Sequence, residues 1–199
     1  MAKSAQYRVL FRRHRTGKTN YYLRKKLLAS RGPRLVVRKT LNYIITQICD
    51  AKVKGDKTLI SAFSGELKKE YGWLAGVGNL SAAYLTAYLL ALRATKKRIK
   101  HAVLDIGLIP PTKGSRVFAA LKGALDAGLD VPHSEEVLPS EDRIRGKHIA
   151  EYAKKLASED SRLFNKQFSR IIKRGLDPRD FPEHFDKIKK NMIDSFGGK

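Results

Sequence analysis

Arg34-Leu35-Val36-Val37-Arg38 opens the stretch that decides the fold. Its apolar centre between charged ends reads as a first β-strand, and Gly32-Pro33 just before it breaks any preceding helix. Tyr43 to Val53, rich in β-branched residues, reads as a second strand. Gly55-Asp56 marks a turn, and Thr58 to Phe63 completes a third strand, so the three form an antiparallel meander. Gly65 to Val77 is irregular, with Trp73 in its middle as a packing anchor rather than a base-stacking platform. Asn79 then caps a long helix to about Lys97. Leu80, Tyr84, Leu85, Tyr88, Leu89 and Leu92 cover most of its circumference, the pattern of a largely buried helix. Ala102 to Ile106 reads as a strand covered on both faces. A further helix from Ser115 to Gly128 carries Val117, Phe118, Leu121 and Leu125 on one side. The order β-β-β-α-β-α predicts an α/β fold with one mixed sheet, the fourth strand returning beside the first by a right-handed crossover.

Beyond this core, from Ser140 onward, the chain is helical and charge-mixed. Ile144, His148, Ile149, Tyr152 and Leu156 form one stripe; Leu163, Phe164, Phe168, Ile171 and Ile172 form another, closed by Gly175. Asp177-Pro178 breaks the chain, and Phe181, Phe185, Ile188 and Met192 make a last stripe at i, i+4, i+7, i+11. The expected organisation is a basic arm over residues 1–32, an α/β core over 33–135 and a helical extension over 136–199.

Charge separates the arm from the rest. The 199 residues hold 41 Lys and Arg against 19 Asp and Glu, a net +22. Residues 1–39 carry 13 of those bases and no acid; the first carboxylate is Asp50. Unpaired charges cannot be buried without a cost of several kcal/mol each, so such a block stays outside the core. Arginine outnumbers lysine there, and the bases alternate with Tyr7, Phe11, His14, Tyr21 and Tyr22. Guanidinium forks pair with phosphate oxygens while aromatic planes stack on unpaired bases, which points to an RNA or DNA clamp. Leu23, Leu27 and Leu28 give the end of the arm a helical edge. A polyanion-bound, cytosolic protein is expected: no apolar run is long enough for a membrane span, and no secretory signal follows the N-terminus. A single cysteine, Cys49, excludes a disulfide framework.

Catalytic chemistry is sparse. Gly17-Lys18-Thr19 lacks the earlier glycine and the preceding strand of a phosphate-binding loop. The five histidines show no metal-ligand spacing. Pro110 to Arg116 runs from a strand into a helix start, where backbone N–H groups either hold a phosphate or only close a turn. The β-β-β-α-β-α order also occurs in ribonuclease-H-like nucleases, whose chemistry requires several carboxylates around divalent ions. Here the first strand offers Arg34, Arg38 and Lys39, and Asp105 stands alone, so no metal, cofactor or enzymatic activity is expected.

An ordered set of motifs spans almost the whole chain. It includes Arg12-Arg13, Lys18-Thr19-Asn20-Tyr21-Tyr22-x-Arg24, Pro33 to Arg38, Tyr71-Gly72-Trp73 and Ala82-Ala83-Tyr84-Leu85-Thr86. Ala102 to Leu108, Gly114 to Ala119, Asp126 to Leu129, Val131-Pro132-His133, Arg145 to Tyr152 and Pro182-Glu183-His184-Phe185 complete it. The set resembles the archaeal and eukaryotic-type 5S-rRNA-binding proteins of the large ribosomal subunit, universal ribosomal protein family eighteen. The resemblance implies binding to 5S rRNA and its attachment to large-subunit rRNA in the central protuberance, beside neighbouring large-subunit proteins. It also implies a ribonuclease-H-like middle domain without an active site, and C-terminal helices of the archaeal and eukaryotic kind. Arg8, Arg12, Arg13, Arg15, Lys18, Thr19, Tyr21, Tyr22 and Arg24, with Lys25 and Arg31, are the residues expected to touch rRNA. The arm is expected to order on binding, and the near-neutral C-terminal helices to offer a surface to neighbouring proteins. The competing readings are a non-ribosomal RNA chaperone, a ribonuclease-H-like nuclease and general DNA compaction.

Overall fold

The computed structural model describes residues 4–197, so the first three residues of the arm lie outside the described residues. The arm holds two short helices, α1 (Arg12–Arg15) and α2 (Tyr21–Leu28). Strands β1 (Arg34–Lys39), β2 (Ile44–Lys52) and β3 (Gly55–Phe63) follow, then helices α3 (Ser64–Glu70) and α4 (Leu80–Lys96), strand β4 (Val103–Asp105) and helix α5 (Arg116–Asp126). The sheet has the order β3-β2-β1-β4, with β1, β2 and β3 antiparallel and β4 parallel to β1. The extension comprises α6 (Glu141–Arg145), α7 (Lys147–Glu159), α8 (Ser161–Ile172) and α9 (Phe181–Gly197). No helix among the described residues is long and apolar enough to cross a membrane.

Period-two alternation assigns the faces of β1. Leu35 and Val37 point into the core with Ile44, Ile48 and Ala62, under α4 and α5. Helix α4 is buried nearly all round, and the Asn79 side chain caps it by accepting the Ala82 N–H at 2.7 Å. It approaches α5 closely: a Cβ on Gly123 would stand 2.2 Å from the Tyr84 carbonyl oxygen, so only glycine fits.

Four local expectations are corrected. The hairpin turn lies on Val53-Lys54, not Gly55-Asp56; Gly55 already pairs with Lys52 and Asp56 with Ala51. Asp56 is in the strand because its carboxylate engages two distant arginines. The stretch after Phe63 is not irregular throughout, since Glu66 accepts the Phe63 N–H at 2.8 Å and starts α3, whose Leu67 is buried. The strand expected over Ala102–Ile106 contracts to three residues, and Val103 and Leu104 are half-buried because β4 is the sheet edge. The helical stripe across residues 144–156 breaks at Gly146, whose φ of 79° ends α6 and where a Cβ would strike the Phe181 ring. In α7 the buried positions are Ala150, Ala153 and Leu156, while His148 and Tyr152 are exposed.

Trp73 is the packing anchor expected of it. It is fully buried, its Nε1 donates to the Gly76 carbonyl, its ring meets Phe181 edge-on and it stacks on His184. The last stripe is also as expected: Phe181, Phe185, Ile188 and Met192 of α9 are all buried, in one continuous core with Trp73 and α4. Helices α7 and α8 share a smaller cluster of Ala153, Leu156 and Phe168.

Candidate nucleic-acid interface

On the face of β1 away from the core, Arg34, Val36 and Arg38 meet a chain of alternating charges. Arg34 donates to Asp105 of β4 and to Asp56 of β3, both at 2.6 Å. Arg38 donates to the other Asp105 oxygen at 2.8 Å and to its carbonyl at 2.7 Å, and the Gly107 N–H adds a bond of 2.9 Å. Arg24 of α2 grips Asp56 with both guanidinium nitrogens, at 2.8 and 2.6 Å. The relay Arg24–Asp56–Arg34–Asp105–Arg38 thus fastens the arm helix to three strands. It is dry at the centre, where the Arg34 and Asp105 side chains are 3% and 8% exposed. Hydrogen bonding from Arg24 holds the Asp56 carboxyl down at about 2, against the opposing effect of burial, with Arg34 assisting.

Between α2 and the sheet this attachment leaves a cleft of about 790 Å³. Val36 and Cys49 contribute its apolar floor, Leu23 and Leu27 its roof, and Arg13, Lys18, Lys52 and Lys54 stand among its walls. The approach to α2 is built locally. Asn20 caps the helix by accepting the Tyr22 and Leu23 N–H groups, and Arg13 Nε donates to Thr19 Oγ1 at 3.0 Å. The Phe11 and Tyr21 rings lie 5.1 Å apart, with His14 next to Tyr21 and Tyr22.

Arg8, Arg12, Arg13, Arg15, Lys18, Tyr22, Lys25 and Arg31 are exposed; Thr19, Tyr21 and Arg24 are half-buried. Among the described residues, Arg8, Arg12, Arg15, Lys18, Lys25 and Arg31 make no ion pair. The structure therefore gathers Arg13, Lys18, Thr19, Tyr21 and Arg24 around one cleft, while Arg8, Arg12, Arg15, Tyr22, Lys25 and Arg31 do not line it. Sequence reasoning missed Asn20, Asp56, Lys52 and Lys54. The asparagine before a helical run is a legible cap signal. Asp56 has none, because its partners come from 32 and 22 residues away.

Two other candidates resolve differently. In the loop Pro110–Arg116 the N–H groups of Thr112, Gly114 and Ser115 are bound by the carbonyls of Pro110, Val137 and Thr112. Those three donors are taken up by protein carbonyls, two within the loop and one from Val137. Asp105 has both oxygens bound by guanidinium and amide donors, and no group of three metal-ligating side chains occurs among the described residues.

The family of ribosomal large subunit proteins 60S L5 and 50S L18 matches residues 5–100 and 94–134, which include the arm, the sheet and its two covering helices. The large ribosomal subunit protein uL18 of Staphylothermus marinus is 53% identical over 196 residues, 98% of this chain and 97% of its own length. The chain belongs to this L5/L18 family of large-subunit ribosomal proteins.

Proposed function

We propose that this ribosomal protein binds 5S rRNA and helps attach it to large-subunit rRNA in the central protuberance of cytoplasmic ribosomes. The observation that carries the reading is the fastened arm: Arg24 ties it to the sheet over a cleft walled by Arg13, Lys18, Lys52 and Lys54, and among the described residues its Arg8, Arg12, Arg15, Lys25 and Arg31 stand exposed without an ion pair. A-form RNA hides its base edges in a deep, narrow groove, so contacts go to phosphates, 2′-hydroxyls and splayed-out bases. Arg8, Arg12, Arg13, Arg15, Lys18, Lys25 and Arg31 supply the phosphate contacts. Tyr22 supplies a stacking plane, and Thr19 and Tyr21 shape the arm between α1 and α2. Arg24 acts first as a positioning residue through Asp56.

The core is read as a ribonuclease-H-like motif, supported by an antiparallel triplet with β4 parallel beside β1. The reading is of a protein without nuclease activity: where such an enzyme gathers carboxylates for metal ions, this chain places Arg34 and Arg38 around one aspartate.

The test is a binding titration at about 150 mM monovalent salt, in the range where phosphate contacts still govern affinity. It compares 5S rRNA, an unrelated structured RNA of equal length and duplex DNA. A 5S preference that falls when Arg12, Arg13, Arg15 and Lys18 become glutamine supports the proposal. Equal binding to all three, or metal-dependent RNA cleavage abolished by Asp105→Asn, overturns it.

A further inference from the structure

We infer that α8 carries a second phosphate-binding surface, separate from the arm, that takes the backbone of an RNA duplex. This rests on the reading of the chain as an rRNA-binding protein. The inward side of α8 is Phe168, buried against Ala153 and Leu156 of α7, with Phe164 and Ile171 beside it. The outward side bears Arg162, Lys166, Arg170 and Lys173. Positions i, i+4, i+8 and i+11 share one helical face, and they extend over about 16 Å at 1.5 Å per residue.

The near-neutral charge of the extension conceals this row. All seven acids of residues 134–176 lie at or before Asp160, and Ser161 to Leu176 hold five Lys and Arg with no acid. Among the described residues, none of the four side chains makes an ion pair or a hydrogen bond. In the same extension Arg145, Lys147, Lys155 and Arg179 each have a carboxylate partner. Like charges at i, i+4 destabilise a helix by a few tenths of a kcal/mol per pair. A row that repels itself and has no internal partner fits an external polyanion.

The helix is also held rigidly. Asp160 caps its start by accepting the Arg162 and Leu163 N–H groups at 2.7 and 3.2 Å. Just past its end Arg174 donates to the carbonyls of Leu74 and Ala75, in the loop before α4. An anchored helix spares the cost of ordering backbone on binding, leaving only the side chains to be ordered. A row of about 16 Å is long enough to meet several phosphates of one strand, which follow each other at about 3.4 Å along the duplex axis. An acidic protein helix would offer similar charge spacing, but an energetically central protein contact wants a buried apolar anchor. Among the described residues the exposed apolar side chains of α8 are Leu163 and Ile172, which lie to either side of this row and leave no apolar centre within it. The arm lies across one face of the sheet, whereas α8 packs on α7 and the turn Pro178–Asp180, and α7 in turn on α9, which packs with α4 on the other. The chain therefore presents phosphate-binding surfaces on two sides.

The test uses the full chain and a variant combining Arg162→Gln, Lys166→Gln, Arg170→Gln and Lys173→Gln, both saturated with 5S rRNA. A labelled plain RNA duplex is then titrated in at several salt concentrations. The variant is expected to melt at the wild-type temperature and keep its 5S preference. It should capture the duplex at least tenfold more weakly, with a salt slope reduced by about 0.9 per contact removed. Exchanging each Arg for Lys and each Lys for Arg should restore capture, which a role in folding alone would not predict. Unchanged capture and slope in the glutamine variant would overturn the inference. A wild-type chain without 5S preference would instead overturn the proposed function, and the slope on the duplex alone would still report on α8.

Discussion

On one face of the sheet Leu35, Val37, Ile44, Ile48 and Ala62 are sealed beneath α4 and α5; on the other Arg34, Val36 and Arg38 look into a cleft roofed by the arm. The first face is closed by area removed from water, which is non-directional and tolerates no competing ligand. The second is closed by guanidinium–carboxylate pairs, each of which a phosphate can also satisfy. One strand thus serves stability with its odd residues and presentation of the arm with its even ones. Variants on the two sides should fail in different ways.

The largest effect belongs to the apolar side. Trp73→Ala removes the side chain on which α9 closes, and a buried Trp→Ala change costs about 3–5 kcal/mol. Chemical denaturation should show that loss with α9 and α4 melting together. Independent unfolding of α9 would separate it from the common core. On the polar side, Asp105→Asn leaves the buried Arg34 with Asp56 alone and is expected to cost about 3 kcal/mol, as breaking a buried pair does. A neutral outcome by the same measurement would mean that Asp105 contributes little beyond its hydrogen bonds.

The two sides also differed in how far they could be read beforehand. Alternation in Arg34 to Arg38, the Asn79 cap and the spacing of Phe181, Phe185, Ile188 and Met192 are local signals, so the strands, α4 and the buried stripe of α9 were legible. What the stripe would dock on was not: Trp73 and His184 are 111 residues apart, and no periodicity encodes that meeting. The candidate site shows the same division. The arm's composition announced a polyanion, but its attachment was hidden, because Gly55-Asp56 has the chemistry of a turn and the carboxylate is drawn into β3 by arginines far away in sequence. Charge summed over long segments also averaged away the basic row of α8, which appears only when acids and bases are sorted by helix face.

A smaller, pH-dependent effect comes from the junction of the core with α9. His184 Nε2 accepts the Leu74 N–H at 3.1 Å, so the ring is neutral there. Burial, with Lys187 assisting, lowers its pKa below the ordinary 6.5. A base whose folded pKa is depressed binds its proton more readily unfolded. Its contribution is present above pH ~6.5 and declines as pH falls through the folded value. The melting temperature of the wild-type chain should therefore drop on mild acidification, and His184→Gln should flatten much of that slope. His148, lowered by partial desolvation on the α7 surface and by the nearby charge of Arg143, accounts for a remainder. An identical slope in the variant would place the acid sensitivity elsewhere.

The smallest change in global stability, and the sharpest contrast between the faces, is expected from Asp56→Asn. The Arg24–Asp56 pair is half-exposed and contributes within about 1 kcal/mol, while buried Arg34 keeps its bond to Asp105 and Asp56 itself is 30% exposed, so the core should lose less than with Asp105→Asn. The arm itself should loosen. Folded Asp56 titrates at about 2, below the ordinary carboxylate value, so the grip on Arg24 is complete above pH ~4 and lost as pH falls toward 2. The asparagine variant should reproduce that acid state at neutral pH, with faster amide exchange over Tyr21–Leu28 and unchanged protection in β2. Arginine variants at the far end of the relay should leave α2 protected, because Arg24 reaches the sheet through Asp56. If exchange in α2 were unaltered by Asp56→Asn, the Asn20 cap and the Leu23 and Leu27 contacts would suffice to hold the arm, and the polar face would be closed by the same physics as the apolar one.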